Sequence, residues 1–214
     1  MLLESPRMSV PGLIAMVTGF VMTNTFHFIG LFLVAVAGLL AIREFVVSRK
    51  YTIAIALAVS VGVFAALMVI VNLVWGYNHV LAFFTASTLE NPLGFRGWHQ
   101  PISYLATRVE CISESAFFLS FGFVAVLFHR DILGISLTDW RRNDTGLFLA
   151  AIIVLLAMLT VGAYQSSETG RGALFVYPYA MLVLCNAETG TLKDIAKLAG
   201  IQTAAMQLVG NFFW

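Results

Sequence analysis

The segment Thr52–Trp75, TIAIALAVSVGVFAALMVIVNLVW, decides the fold of this chain. It carries no charged residue, and the polar Asn72 lies close to its end. Its length meets the roughly 20 apolar residues that a helix needs to cross a ~30 Å hydrocarbon layer. Trp75 and Tyr77 close it with the aromatic residues typical of a membrane interface. The segment therefore predicts a transmembrane helix.

The composition extends this prediction to the whole chain. The 214 residues are 60% hydrophobic and 11% charged, whereas charged residues make up about a quarter of a soluble domain. We therefore expect an all-α integral membrane protein with a single membrane domain over residues 1–214. The formal net charge is +1, and no Lys/Arg cluster suited to a phosphate backbone occurs. Nucleic acid is therefore not an expected partner, whereas membrane lipid is.

Outward from Thr52–Trp75, the sequence predicts a polytopic transmembrane helix bundle of about five to six membrane helices. Residues 12–42 divide at the polar run Thr23–Thr25 into a half-helix and a span, because these side chains compete with the helix ladder; one long tilted helix is the alternative. The last helix either spans the bundle or lies along the interface. The spans predicted beyond Trp75 are Ser115–Phe128 with a tilted start near Leu105, Leu147–Tyr164 and Ala173–Cys185, and the last helix is Leu192–Trp214.

The distribution of Lys and Arg orients the predicted helices, because short cytoplasmic loops collect positive charge. The helix count places the basic loops on one side, which we assign as cytoplasmic. The segment Gly76–Gln100, with an amphipathic helix, and the loop Gln165–Gly172 then share the extracytoplasmic face. The basic residues used for this assignment are Arg43, Arg49, Lys50, Arg130, Arg141, Arg142, Lys193 and Lys197.

A short polar loop lies within GAYQSSETGRGALFVYPYAM, residues 162–181. Its Glu168 and Arg171 are three residues apart, so one helical turn places them on the same face. The guanidinium of Arg171 offers a planar fork that suits phosphate. Glu168 is suited to hold Arg171, to accept sugar hydroxyls or to coordinate a divalent cation as a cofactor. The alternative is an ordinary surface ion pair.

Further candidates for substrate binding flank this loop or lie in the predicted outer-face segment. Pro178 predicts a kink beside Tyr177 and Tyr179, which leaves a tyrosine hydroxyl for a substrate or for a neighbouring helix; an interfacial aromatic belt is the alternative. In the outer-face segment, Trp98 offers a stacking platform for a sugar, or else an anchor at the headgroup layer. The remaining candidates are His79, Arg96, His99 and Arg108, and the histidines lack metal-ligand spacing.

The chain resembles the C-terminal half of polytopic GT-C type membrane glycosyltransferases, the mannosyltransferase-like proteins that use polyprenyl- or dolichyl-phosphate sugars. The resemblance rests on GYNHVLAFFTAS, RGWHQPISYLATRVECISESAFFLSFGFVAVLF, VGAYQSSETGRGALFVYPYAML and AGIQTAAMQLVGNFFW. It implies that Glu168 and Arg171 lie near the donor phosphate or sugar at the extracytoplasmic face. The acidic base that such enzymes carry in their first outer loop has no counterpart ahead of Met1. The resemblance thus implies one of two things. The chain is the C-terminal portion of a split or truncated enzyme, with a partner subunit that supplies the missing N-terminal helices, or it is a shortened relative that does not catalyse transfer by itself.

The first functional hypothesis is a glycosyltransferase-like membrane protein that handles a polyprenyl-phosphate-linked sugar. Its general base would be Glu110 or Glu168, because proton abstraction from a hydroxyl needs a carboxylate within hydrogen-bond reach. The second hypothesis is a non-catalytic membrane subunit or a lipid-binding scaffold. A small transporter is the third hypothesis, and it predicts charged residues along a path through the membrane. The polar residues at membrane depth are the uncharged Asn24 and Asn72 and the histidine His27.

Overall fold

The structure is a computed structural model that describes residues 9–26, 28, 30–90, 92, 94–128, 139–162, 174 and 176–210. All regular elements in these ranges are helices, which confirms the predicted all-α fold. The chain forms two compact units, Met1–Tyr104 and Leu105–Trp214, and each is described by itself. The single membrane domain stays a prediction.

Among its described residues, the first unit has three long helices and two shorter ones. The long helices α1, α2 and α3 pack against one another, and α3 coincides with the segment that the sequence marks as a span. The bounds are α1 Val10–Phe26, α2 Gly30–Ser48, α3 Thr52–Trp75, α4 His79–Glu90 and α5 Arg96–His99.

The predicted break in residues 12–42 occurs, but later than expected. Residues 23–25 lie within the last turn of α1, and the helix ends at Phe26. Thr23 Oγ1 donates to the Gly19 carbonyl at 2.8 Å, and Asn24 Nδ2 donates to the Phe20 carbonyl at 2.9 Å. These polar side chains bond back to carbonyls of their own helix instead of interrupting it. The division at Thr23–Thr25 was therefore wrong in position.

The turn between α2 and α3 corrects one member of the predicted basic loop. Arg43 lies inside α2 and is buried with Val36 and Leu40, because the spacing of four and three residues puts all of them on one helix face. Only Arg49 and Lys50 lie in the turn. The next residue along α2, Glu44, accepts a 2.8 Å hydrogen bond from the Ile53 amide and so satisfies one free N–H group of α3.

The second unit is built around α8, whose buried residues run along its whole length. The helix α9 and the 3₁₀ turn that follows it pack on α8, and α10 packs on α7. The bounds are α6 Pro101–Phe118, α7 Phe121–Phe128, α8 Asn143–Thr160, α9 Tyr177–Met181, a 3₁₀ turn Leu182–Asn186, α10 Thr189–Ala205 and a π-helical turn Met206–Gly210.

Three of the described helices, α2, α3 and α8, are long and apolar enough to cross a membrane. The pair α6 and α7 makes a fourth candidate if it counts as one span, although the two helices are bent by 98°. The shorter α1 and α4 are also apolar. Together these helices fit the predicted bundle and are compatible with an integral membrane protein.

Two individual spans differ from their predictions. The predicted span Ser115–Phe128 is not one continuous helix, because α6 ends at Phe118 and α7 is bent away from it by 98°. The predicted span Ala173–Cys185 is also wrong in its described part, which has a five-residue α-helix and a five-residue 3₁₀ turn. That is about half the length needed to cross the hydrocarbon layer.

Candidate functional site

The candidate site lies in the second unit, where one face of α6 is turned towards α8 and α9. Arg108, Cys111 and Ser115 share this face through spacings of three and four residues. Cys111 and Ser115 are buried, and Arg108 is half-buried. The face therefore carries polar groups into the interior of the unit, where each needs a hydrogen-bond partner.

Arg108 is bonded to the end of α8. Its Nη1 donates to the Leu159 carbonyl at 2.8 Å, and Nη2 donates to Thr107 Oγ1 at 3.4 Å. The last carbonyls of a helix carry partial negative charge and lack a partner within the helix. The Arg108 guanidinium therefore stabilises the C-terminus of α8, immediately before the segment 163–173.

Tyr177 is bonded to α6 from the other end of the same segment. The side chain is buried, and its hydroxyl donates to the Ser115 carbonyl at 3.3 Å. Pro178 lies in the first turn of α9, where a missing backbone N–H costs no helical hydrogen bond. The predicted kink of a longer helix at Pro178 was therefore wrong, because α9 begins beside the proline.

The two bonds hold both flanks of the segment 163–173 on one helix. Arg108 and Ser115 are seven residues apart on α6, which corresponds to about 10 Å along its axis. Glu168 and Arg171 fall within residues 163–173 and lie outside the described residues. We call the two hydrogen bonds of Arg108 and Tyr177 to α6 and α8 the frame of this segment. The frame fixes the points at which the chain enters and leaves the segment 163–173.

The other candidates in this unit are placed differently. Glu110 is two residues after Arg108, which rotates it by about 200° around the helix axis, and it is exposed. The structure thus puts Glu110 and Arg108 on opposite sides of α6. Tyr179 is half-buried on α9.

In the first unit, His79 is part of an aromatic cluster. Its ring centroid lies 5.0 Å from that of Phe28 and 5.3 Å from that of Phe64, and the Tyr77 hydroxyl lies 3.4 Å from Nδ1. Partial burial lowers the pKa of the His79 imidazole from its ordinary value of 6.5. These contacts show how the start of α4 packs on α3, and they leave His79 only half-exposed.

The remaining candidates of this unit lie on or beside α5. Arg96 donates to Gln100 Oε1 at 3.4 Å and to Ser103 Oγ at 3.3 Å, which holds the guanidinium along the start of α6. Trp98 is 82% exposed, and one edge of it meets Phe95 at a centroid distance of 6.0 Å. His99 is also exposed. An exposed indole next to a positioned arginine can stack on a ring and bind an acceptor group.

A polar cluster that sequence reasoning missed joins the start of α8 to the 3₁₀ turn. Arg142 donates to both carboxylate oxygens of Asp144, at 3.3 and 3.1 Å, and to Asn186 Oδ1 at 2.8 Å. Asn186 Nδ2 in turn donates to Asp144. An acidic residue in the first turn of α8 was the available signal, but nothing near it in sequence points to Asn186.

Metal binding finds no support in the part of the chain that the structure describes. No group of three or more His, Cys, Asp and Glu side chains suited to a metal ion occurs there. A divalent cation at Glu168 stays a prediction, since that residue lies outside the described ranges.

Comparison with known proteins adds no relative. No family model, curated protein or solved structure matches the chain.

Proposed function

We propose that this chain is a glycosyltransferase-like membrane protein that holds a polyprenyl-phosphate-linked sugar at the segment between α8 and α9. The observation that carries the proposal is the frame of Arg108 and Tyr177, which holds both flanks of that segment on α6. A loop that positions charged groups for a ligand needs fixed ends, because each unconstrained residue lowers the precision of the site.

Within this proposal, the residues have separate roles. Arg171 contacts the lipid phosphate, because a guanidinium binds phosphate oxygens through two parallel hydrogen bonds. Glu168 orients Arg171 or takes the proton of the acceptor hydroxyl. Arg108 and Tyr177 act as positioning residues, since their described hydrogen bonds go to protein groups.

The test uses the full chain in lipid nanodiscs with a polyprenyl-phosphate sugar as donor. We expect Arg171→Gln to weaken binding of the lipid by about tenfold or more, since it removes a charge-assisted bidentate contact. We expect Glu168→Gln to lower transfer by about a hundredfold if the carboxylate is the base. The control is Lys193→Gln, an exposed charge on α10 that lies outside the frame. Unchanged binding in Arg171→Gln would refute the proposed site.

A non-catalytic lipid-binding subunit is the second candidate. The observation in its favour is that Arg108 and Glu110, both proposed for the site, lie on opposite sides of α6, so Glu110 is not a base beside Arg108. The same assay separates the two candidates. If lipid binding depends on Arg171 but no transfer occurs, either with the chain alone or with added membrane extract, the protein is a subunit or a scaffold.

The proposed orientation puts the turn at Lys50 in the cytoplasm and the segment with Trp98 outside. It is tested with Lys50→Cys and Trp98→Cys in a Cys185→Ser background, because Cys185 is exposed and Cys111 is buried. A membrane-impermeant maleimide added to intact cells should label the cysteine at position 98 and not that at position 50. The opposite labelling would reverse the proposed sides.

A further inference from the structure

The break between α6 and α7 has no covalent cause in the sequence. The helices are bent by 98°, and only Leu119 and Ser120 separate them. The single proline of this stretch is Pro101, at the far end of α6. Sharp helix bends arise at proline, or where another group inserts into the hydrogen-bond ladder.

The inserted group is the side-chain amide of Gln202, from α10. Its Oε1 accepts a 2.9 Å hydrogen bond from the Phe121 amide, and its Nε2 donates to the Phe117 carbonyl. These two backbone groups are four residues apart, so they are the pair that would bond to each other in an uninterrupted helix. The glutamine therefore takes the place of one backbone hydrogen bond of the helix. It pairs the Phe121 amide, and it is a second donor to the Phe117 carbonyl, which also accepts a 3.1 Å hydrogen bond from the Ser120 amide.

The bent form is energetically unfavourable at Ser120 for two reasons. Its φ is +78°, in the left-handed region, where a residue with a Cβ is disfavoured. Its hydroxyl is also buried without a hydrogen-bond partner among the described residues. In a continuous helix, Ser120 would adopt ordinary helical angles, and its hydroxyl could donate to the carbonyl four residues earlier. Both costs would then disappear.

The contact between α7 and α10 makes the opposing contribution. A Cβ on Gly122 would lie 3.3 Å from the Cβ of Leu198, so the missing side chain lets the two helices approach closely. Packing at Gly122 and the two hydrogen bonds of Gln202 therefore favour the bent form, whereas the backbone of Ser120 favours the straight form.

We propose that residues 101–128 are a two-state element, bent while the Gln202 amide is inserted and a continuous helix when it withdraws. The straight helix would be about 42 Å long, more than enough to cross a ~30 Å hydrocarbon layer. The bent form turns α7 away from the axis of α6. The position of the Gln202 amide, inserted or withdrawn, therefore determines which of the two forms the element adopts.

The distance between spin labels on the two helices separates the forms. The labels replace the exposed residues Ala106 and Phe128 in a Cys185→Ser background; the remaining native cysteine, Cys111, is buried, and labelling of this background without added cysteines checks that it does not react. At 1.5 Å per residue, the two backbone positions are about 33 Å apart in the straight form and about 21 Å apart at the observed bend. Pulsed electron resonance in nanodiscs measures this difference directly.

We expect the wild-type protein to give mainly the short distance and Gln202→Leu to shift the distribution to the long one. Gln207→Leu, which makes the same change at an exposed position five residues further along the chain, should behave as wild type. Helix content by circular dichroism and a single elution peak establish that each variant is folded. A folded Gln202→Leu variant that keeps only the short distance would overturn the proposal.

A pair of milder variants at Ser120 tests the same equilibrium without touching Gln202. Glycine favours left-handed angles and disfavours the helix interior, whereas alanine has the opposite preferences. Both changes remove the hydroxyl, so only the backbone preference differs. The ratio of bent to straight molecules should be about thirtyfold higher in Ser120→Gly than in Ser120→Ala. Identical distance distributions in these two folded variants would also contradict the two-state element.

Discussion

Substitution of Gly30 by alanine tests the packing between α1 and α2. A Cβ at Gly30 would lie 2.7 Å from Cγ and Oδ1 of Asn24 and 2.9 Å from its Nδ2. Atoms of real side chains do not approach this closely, so Asn24 would have to move. Asn24 is buried, and its Nδ2 donates to the Phe20 carbonyl. Movement of the amide would therefore cost both packing and a hydrogen bond.

The magnitude follows from these two contributions. Overpacking of a tight interior costs about 1–3 kcal/mol, and the hydrogen bond of Asn24 contributes about 1 kcal/mol. Gly30 is the first residue of α2, where the helix preference of alanine contributes little. We expect Gly30→Ala to lower the free energy of unfolding by about 2 kcal/mol. Asn24→Ala removes the obstructing amide and should by itself lower the free energy of unfolding by about 1 kcal/mol. In the double variant, Gly30→Ala should then lower the free energy of unfolding by little more.

Unfolding in mixed micelles with increasing dodecyl sulfate, followed by circular dichroism, measures these free energies. The matched control is Gly38→Ala, also in α2, where an added Cβ meets no atom within 4 Å; it should be neutral or stabilising. Full stability of Gly30→Ala, or costs that simply add in the double variant with Asn24→Ala, would refute the packing argument.

Three further predictions concern other parts of the fold. Burial lowers the pKa of His79, so the unfolded chain takes up a proton more readily than the folded one as pH falls through 6.5. The melting temperature of the wild type should therefore fall further between about pH 7.5 and 5.5 than that of His79→Phe. Asn186→Ala removes the amide that donates to Asp144 and should cost about 1 kcal/mol in the same micelle assay, with no loss if the cluster is unimportant for stability. Gly122→Val should lower the free energy of unfolding by about 1–3 kcal/mol, because the added side chain overpacks against Leu198. Leu198→Ala in the same chain should restore part of that stability. Equal stability of Gly122→Val and wild type would contradict the close approach of α7 and α10.

Much of the fold could be predicted from the sequence because apolar length is a local property. The uncharged run Thr52–Trp75 predicted α3 with its observed bounds. The polar run Thr23–Thr25 predicted a break but misplaced it, because threonine and asparagine can also bond to carbonyls within a helix. Composition alone does not decide between these two outcomes.

The candidate site was only partly predictable. Glu168 and Arg171 were chosen from their spacing and their chemistry, and both stay predictions. Arg108 was chosen as a contact for a substrate, and Tyr177 as a contact for a substrate or for a neighbouring helix. The structure bonds both to backbone carbonyls, 51 and 62 residues away, which for Tyr177 is the neighbouring-helix alternative. Such bonds leave no local pattern, because the partner is a carbonyl that every residue has.

The sequence by itself determined that this chain forms apolar helices, since charge and hydrophobicity along a segment suffice to predict whether it can lie in a membrane. Only the tertiary structure decided where two of them end. The stretch Pro101–Phe128 has the composition of one long helix, and Gln202, 81 residues after Phe121, divides it by taking over a backbone hydrogen bond. Helix formation depends on backbone hydrogen bonds between residues close in sequence, but a side chain distant in sequence can form those hydrogen bonds instead. Only folding brings that side chain into place.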